Sequence, residues 1–200
     1  MARIAVMVGS KGRGSNMRRL IEAGRAEEFP GRVECVLAPT PDSPAVQSAR
    51  EMGIPTTILS PKSADYPSEL ARVLDGVDLV CLAGFMSLFP AEVLDQHPGR
   101  VLNIHPALLP KFGGKGMYGM HVHQAVLAAG ERESGCTVHL VTPIYDEGRI
   151  LVQLSCPIEP EDSPEALAAR VLRLEHQAYP LAIRLRLDEL AHEQPSSDEA

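Results

Sequence analysis

The sequence predicts an α/β fold: a doubly wound, mainly parallel sheet flanked by helices, Rossmann-like in its N-terminal half. Three observations carry that expectation. Apolar runs at Ile4–Val8 and within Asp78–Ala83 are short and continuous, as strands buried on both faces require. Between them, strand-like and helix-like segments alternate at short intervals, the pattern of a parallel sheet covered on both sides. A glycine-rich stretch, Gly9–Asn16, then leads from the first run into Met17, Leu20, Ile21 and Ala23 at helical spacing.

The remaining elements follow in order. Val33–Ala38 reads as the second strand. Asp42-Ser43 can cap a helix over Pro44 to Met52, with Pro44 where a missing N–H costs little. Pro55–Leu59 is a third strand, Tyr66–Leu74 a helix, and Asp78–Ala83 the fourth strand. Gly84–Pro90 is a loop with large apolar side chains, readable as a core plug or as a slot for a flat heterocycle. Val101–Pro110 is the next strand and its proline-closed exit. The glycine-dense Lys111–Gly119 connection leads into a helix from about His121 to Ala129. Cys136–Val141 and Arg149–Gln153 are strands around the acidic turn Tyr145-Asp146-Glu147-Gly148. Ser163-Pro164-Glu165 opens a long helix with Leu167, Val171, Leu174 and Ala178 on its core stripe. We expect a single domain over 1–192, with 1–100 as its nucleotide-phosphate half and 101–192 as its catalytic half, and a disordered tail over 193–200.

Composition narrows the function classes. A formal charge of −7 lacks the basic face that phosphate backbones demand, so a nucleic-acid partner is not expected. No apolar stretch is long enough to span a bilayer, and the chain enters a strand pattern directly from Met1, so we expect a cytoplasmic protein without a membrane partner. The four cysteines lie far apart, mostly in apolar runs, and read as buried reduced thiols. His121 and His123, two apart on a helix, do not share a face; we read them as capping or surface residues and expect no metal site. Glu175-His176, by pattern alone, reads as solvated.

Two sets of residues carry chemistry. A strand, a glycine-rich loop and a helix present free N–H groups and a positive dipole end to a phosphate. The loop lacks the Lys-Ser/Thr of a P-loop and the third glycine of a dinucleotide fingerprint, so a monophosphate suits it. Asn103 and His105, at i and i+2 of a strand, project from one face, and an amide beside an imidazole suits a carbonyl that gains negative charge and then exchanges a proton. Taken alone, the pair also fits a core histidine beside a turn-forming Asn. Asp146 is its plausible partner, although an Asp in a turn before glycine also needs no function. A carboxylate there raises the imidazole pKa, so the ring can serve as an acid near neutrality. No serine or cysteine is set beside this histidine as a nucleophile, which favours direct attack by a substrate amine.

These residues resemble the phosphoribosylglycinamide formyltransferase family, the folate-dependent enzymes of purine biosynthesis. The matches are Gly12-Arg13-Gly14-Ser15-Asn16, Leu82-Ala83-Gly84-Phe85-Met86, Asn103-Ile104-His105-Pro106-Ala107-Leu108-Leu109-Pro110, Tyr145-Asp146-Glu147-Gly148 and Glu175-His176. They stand in family order and cover nearly the whole chain. The resemblance implies a formyltransferase-type fold with 10-formyltetrahydrofolate as co-substrate, 5-phosphoribosylglycinamide as the amine, and a monomer or homodimer. It implies that Gly12, Arg13, Gly14, Ser15 and Asn16 hold the ribose 5-phosphate and that Glu175 contacts the ribose. Met86, Ser87, Leu88 and Phe89 would line the pterin pocket, with Thr142, Pro143, Ile144, Tyr145 and Asp146. Asn103 and His105 would polarise the formyl carbonyl, Asp146 would tune His105 for proton shuttling through a water, and Lys62 is the candidate contact for the folate tail.

The chain departs from the common family pattern in two places. Glu147 and Arg149 stand where Asp-Gly-Gly-Pro is frequent, and the Lys111–His121 connection is longer than in many members. Three rival readings share parts of this pattern. A methionyl-tRNA formyltransferase would add a C-terminal domain and a basic surface, and a formyltetrahydrofolate deformylase an N-terminal regulatory domain. A non-catalytic phosphate-metabolite binding protein would leave Asn103, His105 and Asp146 without a purpose.

Overall fold

The computed structural model describes residues 1–193. Five parallel strands come first: β1 (Ala2–Val8), β2 (Gly31–Ala38), β3 (Thr56–Ile58), β4 (Leu79–Ala83) and β5 (Val101–His105). Two antiparallel strands follow, β6 (Glu133–Leu140) and β7 (Ile150–Pro157). The helices are α1 (Ser15–Arg25), α2 (Pro44–Glu51), α3 (Tyr66–Val73), α4 (Ala91–Leu94), α5 (Met120–Ala128) and α6 (Pro164–Glu193). The strands form one sheet in the order β3-β2-β1-β4-β5-β6-β7. Among the described residues, no helix is long and apolar enough to cross a membrane.

The continuous apolar run of β1 has a direct cause. Ile4, Val6 and Val8 face one core layer with α1, α2 and α6, while Ala5 and Met7 face the other with α3 and α4. Alternation puts successive side chains on opposite faces, and here both faces are buried.

Strand order fixes where a ligand can sit. With β2 on one side of β1 and β4 on the other, the crossovers leave in opposite directions and open a crevice beyond the carboxyl ends of those strands. The loops after β1 and β4 meet there so closely that a Cβ on Gly9 would overlap the Gly84 carbonyl oxygen.

Three local expectations are corrected. Ser43 stands at the N-terminus of α2 but makes no side-chain cap; its Oγ donates to the Gly9 carbonyl at 2.9 Å, tying α2 to the crevice loop instead. Helix α6 carries Pro180 within it and runs on to Glu193. Glu193, expected in a disordered tail, lies in α6 and pairs with Arg186 at 2.8 Å; the rest of that tail lies outside the described residues. His123, expected at a cap or on the surface, is buried on the core side of α5, while His121 is exposed. The four cysteines are free thiols, three of them buried.

Candidate active site

Three segments deliver the polar side chains to one place. β5 ends at His105, with Asn103 two residues earlier on the same face. Thr137 of β6 holds the following loop, accepting from the Leu109 N–H at 3.1 Å and donating to the Ala107 carbonyl at 2.7 Å. The turn after β6 brings Asp146 inward with φ of 58°, and Gly148 packs so tightly on β6 that a Cβ there would overlap the Leu140 carbonyl oxygen. Opposite, the buried Tyr179 donates its hydroxyl to the Leu82 carbonyl at 2.9 Å, seating α6 over the strand ends. One turn earlier on that helix, Glu175 meets Asn16 of α1, whose Nδ2 donates to Oε2 at 2.6 Å.

A cavity of about 530 Å3 opens between these segments, lined by Asn16, Asn103, His105, Asp146 and Glu175. His105 is 4% exposed. Its Nε2 lies 2.7 Å from the Phe112 carbonyl; a carbonyl only accepts, so Nε2 carries the proton. Nδ1 is left bare, 3.6 Å from Asp146 Oδ2, too far for a direct hydrogen bond. Burial depresses the His105 pKa below its usual 6.5, and Asp146 only partly offsets this. That reverses the expected direction: the ring rests neutral, as a base rather than an acid. Burial pushes Asp146 up, but its surroundings, the Gly114 N–H at 2.8 Å among them, outweigh it and hold the carboxyl below 3.8.

Glu175 is corrected from solvated to buried, 9% exposed, and burial raises its pKa despite the bond from Asn16. Asn16 Oδ1 is itself buried with no partner among the described residues. A buried acceptor left open toward a cavity fits a ligand hydroxyl.

This geometry has close counterparts. The formyl transferase family matches residues 2–183. The chain belongs to that family. It is 45% identical over 184 residues to the chloroplastic phosphoribosylglycinamide formyltransferase of Arabidopsis thaliana, covering 88% of this chain and 62% of that relative. It thus spans about three fifths of the length of that plant relative. The phosphoribosylglycinamide formyltransferase of Haemophilus influenzae is 35% identical, over 96% of this chain and 93% of its own. The crystal structure of glycinamide ribonucleotide transformylase 1 from Symbiobacterium toebii superposes with a TM-score of 0.86 at 38% identity, covering 94% of this chain and 89% of that one.

In the structure, the expected site residues divide. Of the glycine loop, only Asn16 lines the cavity; Gly12 and Arg13 are exposed beside it, and Gly14, in the left-handed region with φ of 74°, starts α1 ahead of Ser15. Met86 lines the main cavity, while Ser87, Leu88, Phe89, Thr142, Ile144 and Tyr145 line an adjoining slot. That slot holds about 40 Å3, room for a few waters. Phe89 is 5% exposed and packs in the core, so for this side chain the core-plug reading is correct. Pro143 lines neither space, and Lys62 lines a separate open groove that shares Ser87 and Leu88 with the slot.

One functional candidate was missed. His139 is 2% exposed, with Nε2 at 3.1 Å from Asn103 Nδ2 and 3.5 Å from Asp146 Oδ1. Its Nδ1 faces the Leu140 carbonyl at 2.9 Å and therefore holds the proton, which leaves Nε2 to accept from the Asn103 amide. The other amide hydrogen points to Asp146 Oδ1 at 3.4 Å. The alternation of β6 already puts His139 opposite Val138, but only the pairing of Asn103 with His139 shows what it faces.

Proposed function

We propose that this chain transfers a formyl group from 10-formyltetrahydrofolate to the amine of 5-phosphoribosylglycinamide. The observation that carries the reading is the meeting of Asn103, His105 and Asp146 on the wall of a cavity that Asn16 and Glu175 also line. The relatives' names agree with it.

The chemistry follows from the proton inventory. The amine attacks the formyl carbon, and the carbonyl oxygen takes up negative charge. Asn103 turns its long-bonded N–H from Asp146 to that oxygen, while His139 keeps hold of the other; one such donor is worth about 3 kcal/mol. Bare Nδ1 of His105 takes the proton that the amine loses. The resulting imidazolium lies beside Asp146, which stabilises it until the proton passes to the departing folate nitrogen. In this reading residues 1–100 supply the phosphate and ribose contacts, with Glu175 from α6, and residues 101–192 supply the rest. The slot beside Leu88 and Ile144 takes the pterin by widening, since its present volume is too small.

The test is a spectrophotometric assay of folate release with and without the ribonucleotide. Release that requires the ribonucleotide is the expected result. Release independent of it would make the protein a deformylase, and ribonucleotide binding without release would make it a binding module.

A further inference from the structure

Both proposed substrates are anions, yet two of the three charged-type side chains on the cavity wall are carboxylic acids. Among its described lining residues, Asp146 and Glu175 bring carboxyl groups, and His105 rests neutral. The glycine loop brings Asn16, an uncharged amide. Lys115 is the one fixed cation on that wall. It is exposed, and the ion pairs among the described residues engage its neighbour Lys111, with Glu131 at 2.8 Å, but not Lys115 itself.

The placement of Lys115 is built into the loop. Gly113 is squeezed between Leu109 and Asp146, where a Cβ would lie 2.6 Å from Leu109 Cδ2 and 3.1 Å from Asp146 Cβ. Gly114 then donates its N–H to Asp146 Oδ2 at 2.8 Å, and Met117 closes a turn back to the Gly114 carbonyl at 3.1 Å. Gly114 and Gly116, with φ of 91° and 90°, flank the lysine with backbone that only glycine adopts readily. At the far end Tyr118 stacks on His121, ring centroids 5.3 Å apart. The loop is therefore clamped to the catalytic carboxylate one residue before Lys115 and to α5 three residues after it.

We infer that Lys115 is a cationic contact for the phosphate of the ribonucleotide, supplied from the glycine-dense connection after β5 in addition to the glycine loop. The ammonium shares its cavity with Asn16 and Glu175 as well as with Met86 and Tyr145, but lines neither the pterin slot nor the groove at Lys62, which favours the amine substrate over the folate. A flexible ammonium on a glycine-flanked turn suits a phosphate as a point charge. This inference rests on the ribonucleotide reading of the cavity.

Steady-state kinetics of Lys115→Met and Lys115→Arg test it, with the ribonucleotide and with its dephosphorylated nucleoside as acceptors. Lys115→Met is expected to raise the ribonucleotide KM by about tenfold, the size of one charge-assisted contact. It should leave the formylfolate KM within about twofold and the nucleoside reaction unchanged, and Lys115→Arg should restore most of the loss. A shift in the formylfolate KM alone would assign the ammonium to the folate carboxylates and overturn the inference. Equal losses with both acceptors would reduce Lys115 to loop structure and overturn it too. Calorimetric binding of ribose 5-phosphate separates the two readings. If the unaltered protein shows no transfer, the proposed function fails, yet weaker ribose 5-phosphate binding by Lys115→Met still supports the contact and equal binding ends it.

Discussion

Replacing Glu175 with Gln should strengthen the fold and weaken the proposed ribonucleotide site at once. The carboxyl is 9% exposed, and its hydrogen-bond partner among the described residues is Asn16 Nδ2 at 2.6 Å. Ionising such a group in the interior costs several kcal/mol, and one hydrogen bond to a charged acceptor returns about 1.5–3 kcal/mol, leaving a net penalty of about 2 kcal/mol. Glutamine keeps an oxygen for Asn16 and carries no charge. Its folded-state pKa is raised, so the wild-type carboxyl imposes no penalty below its usual value of 4.5; stability falls as pH rises above that. At pH 8 we expect Glu175→Gln to melt about 4–8 °C higher than wild type, and at pH 4 to melt at the same temperature. Differential scanning calorimetry at both pH values measures this. The same variant should bind ribonucleotide about tenfold more weakly, because a neutral acceptor holds a ribose hydroxyl less well than a carboxylate. A variant no more stable than wild type at pH 8, or equally stabilised at both pH values, would show that the carboxylate is not an uncompensated buried charge.

Other outcomes follow from the same geometry. His105→Ala and Asp146→Asn should each cut kcat by about 10²–10⁴-fold with unchanged circular dichroism, and near-normal rates would refute the proton path. The kcat–pH profile should rise along an acid limb centred below 6.5 and stay flat above it, because burial depresses His105; a limb at pH 7 or higher would mean that Asp146 outweighs burial. Gly113→Ala should lower kcat by displacing Asp146 while changing stability by only about 1–3 kcal/mol, a range set by overpacking in a tight seam; urea unfolding checks the second part.

Much of the fold was legible because β1 and β4 are buried on both faces and announce themselves as uninterrupted apolar runs. Asn103 and His105 were legible for a related reason: spacing of two in a strand puts side chains on one face whatever the strand pairs with. Properties set by contacts distant in sequence were not. Ser43 looks like a cap because its neighbours are turn residues, and only the approach of Gly9 shows that its hydroxyl has a better acceptor. Glu175 looks solvated because glutamate on a helix usually is, and only the position of α1 buries it. The His105 pKa shows the limit most sharply. A carboxylate partner was readable from Asp146, but desolvation depends on how many atoms surround the ring, which no local pattern encodes.

That last difference changes the chemistry assigned to the site. An imidazole already protonated would have to lose its proton before it could help an amine attack. A ring held neutral by burial, with Nε2–H fixed on the Phe112 carbonyl, presents its lone pair toward Asp146 with the 3.6 Å gap that lets a proton arrive between them. In the proposed reaction the carboxylate does its work after proton transfer rather than before it, by stabilising the imidazolium that burial alone would disfavour. Burial and the ion pair are therefore not competing descriptions of His105. Burial sets the resting state, Asp146 sets the state reached once the amine has lost its proton, and passing a proton onward to the folate nitrogen requires both states to lie within easy reach.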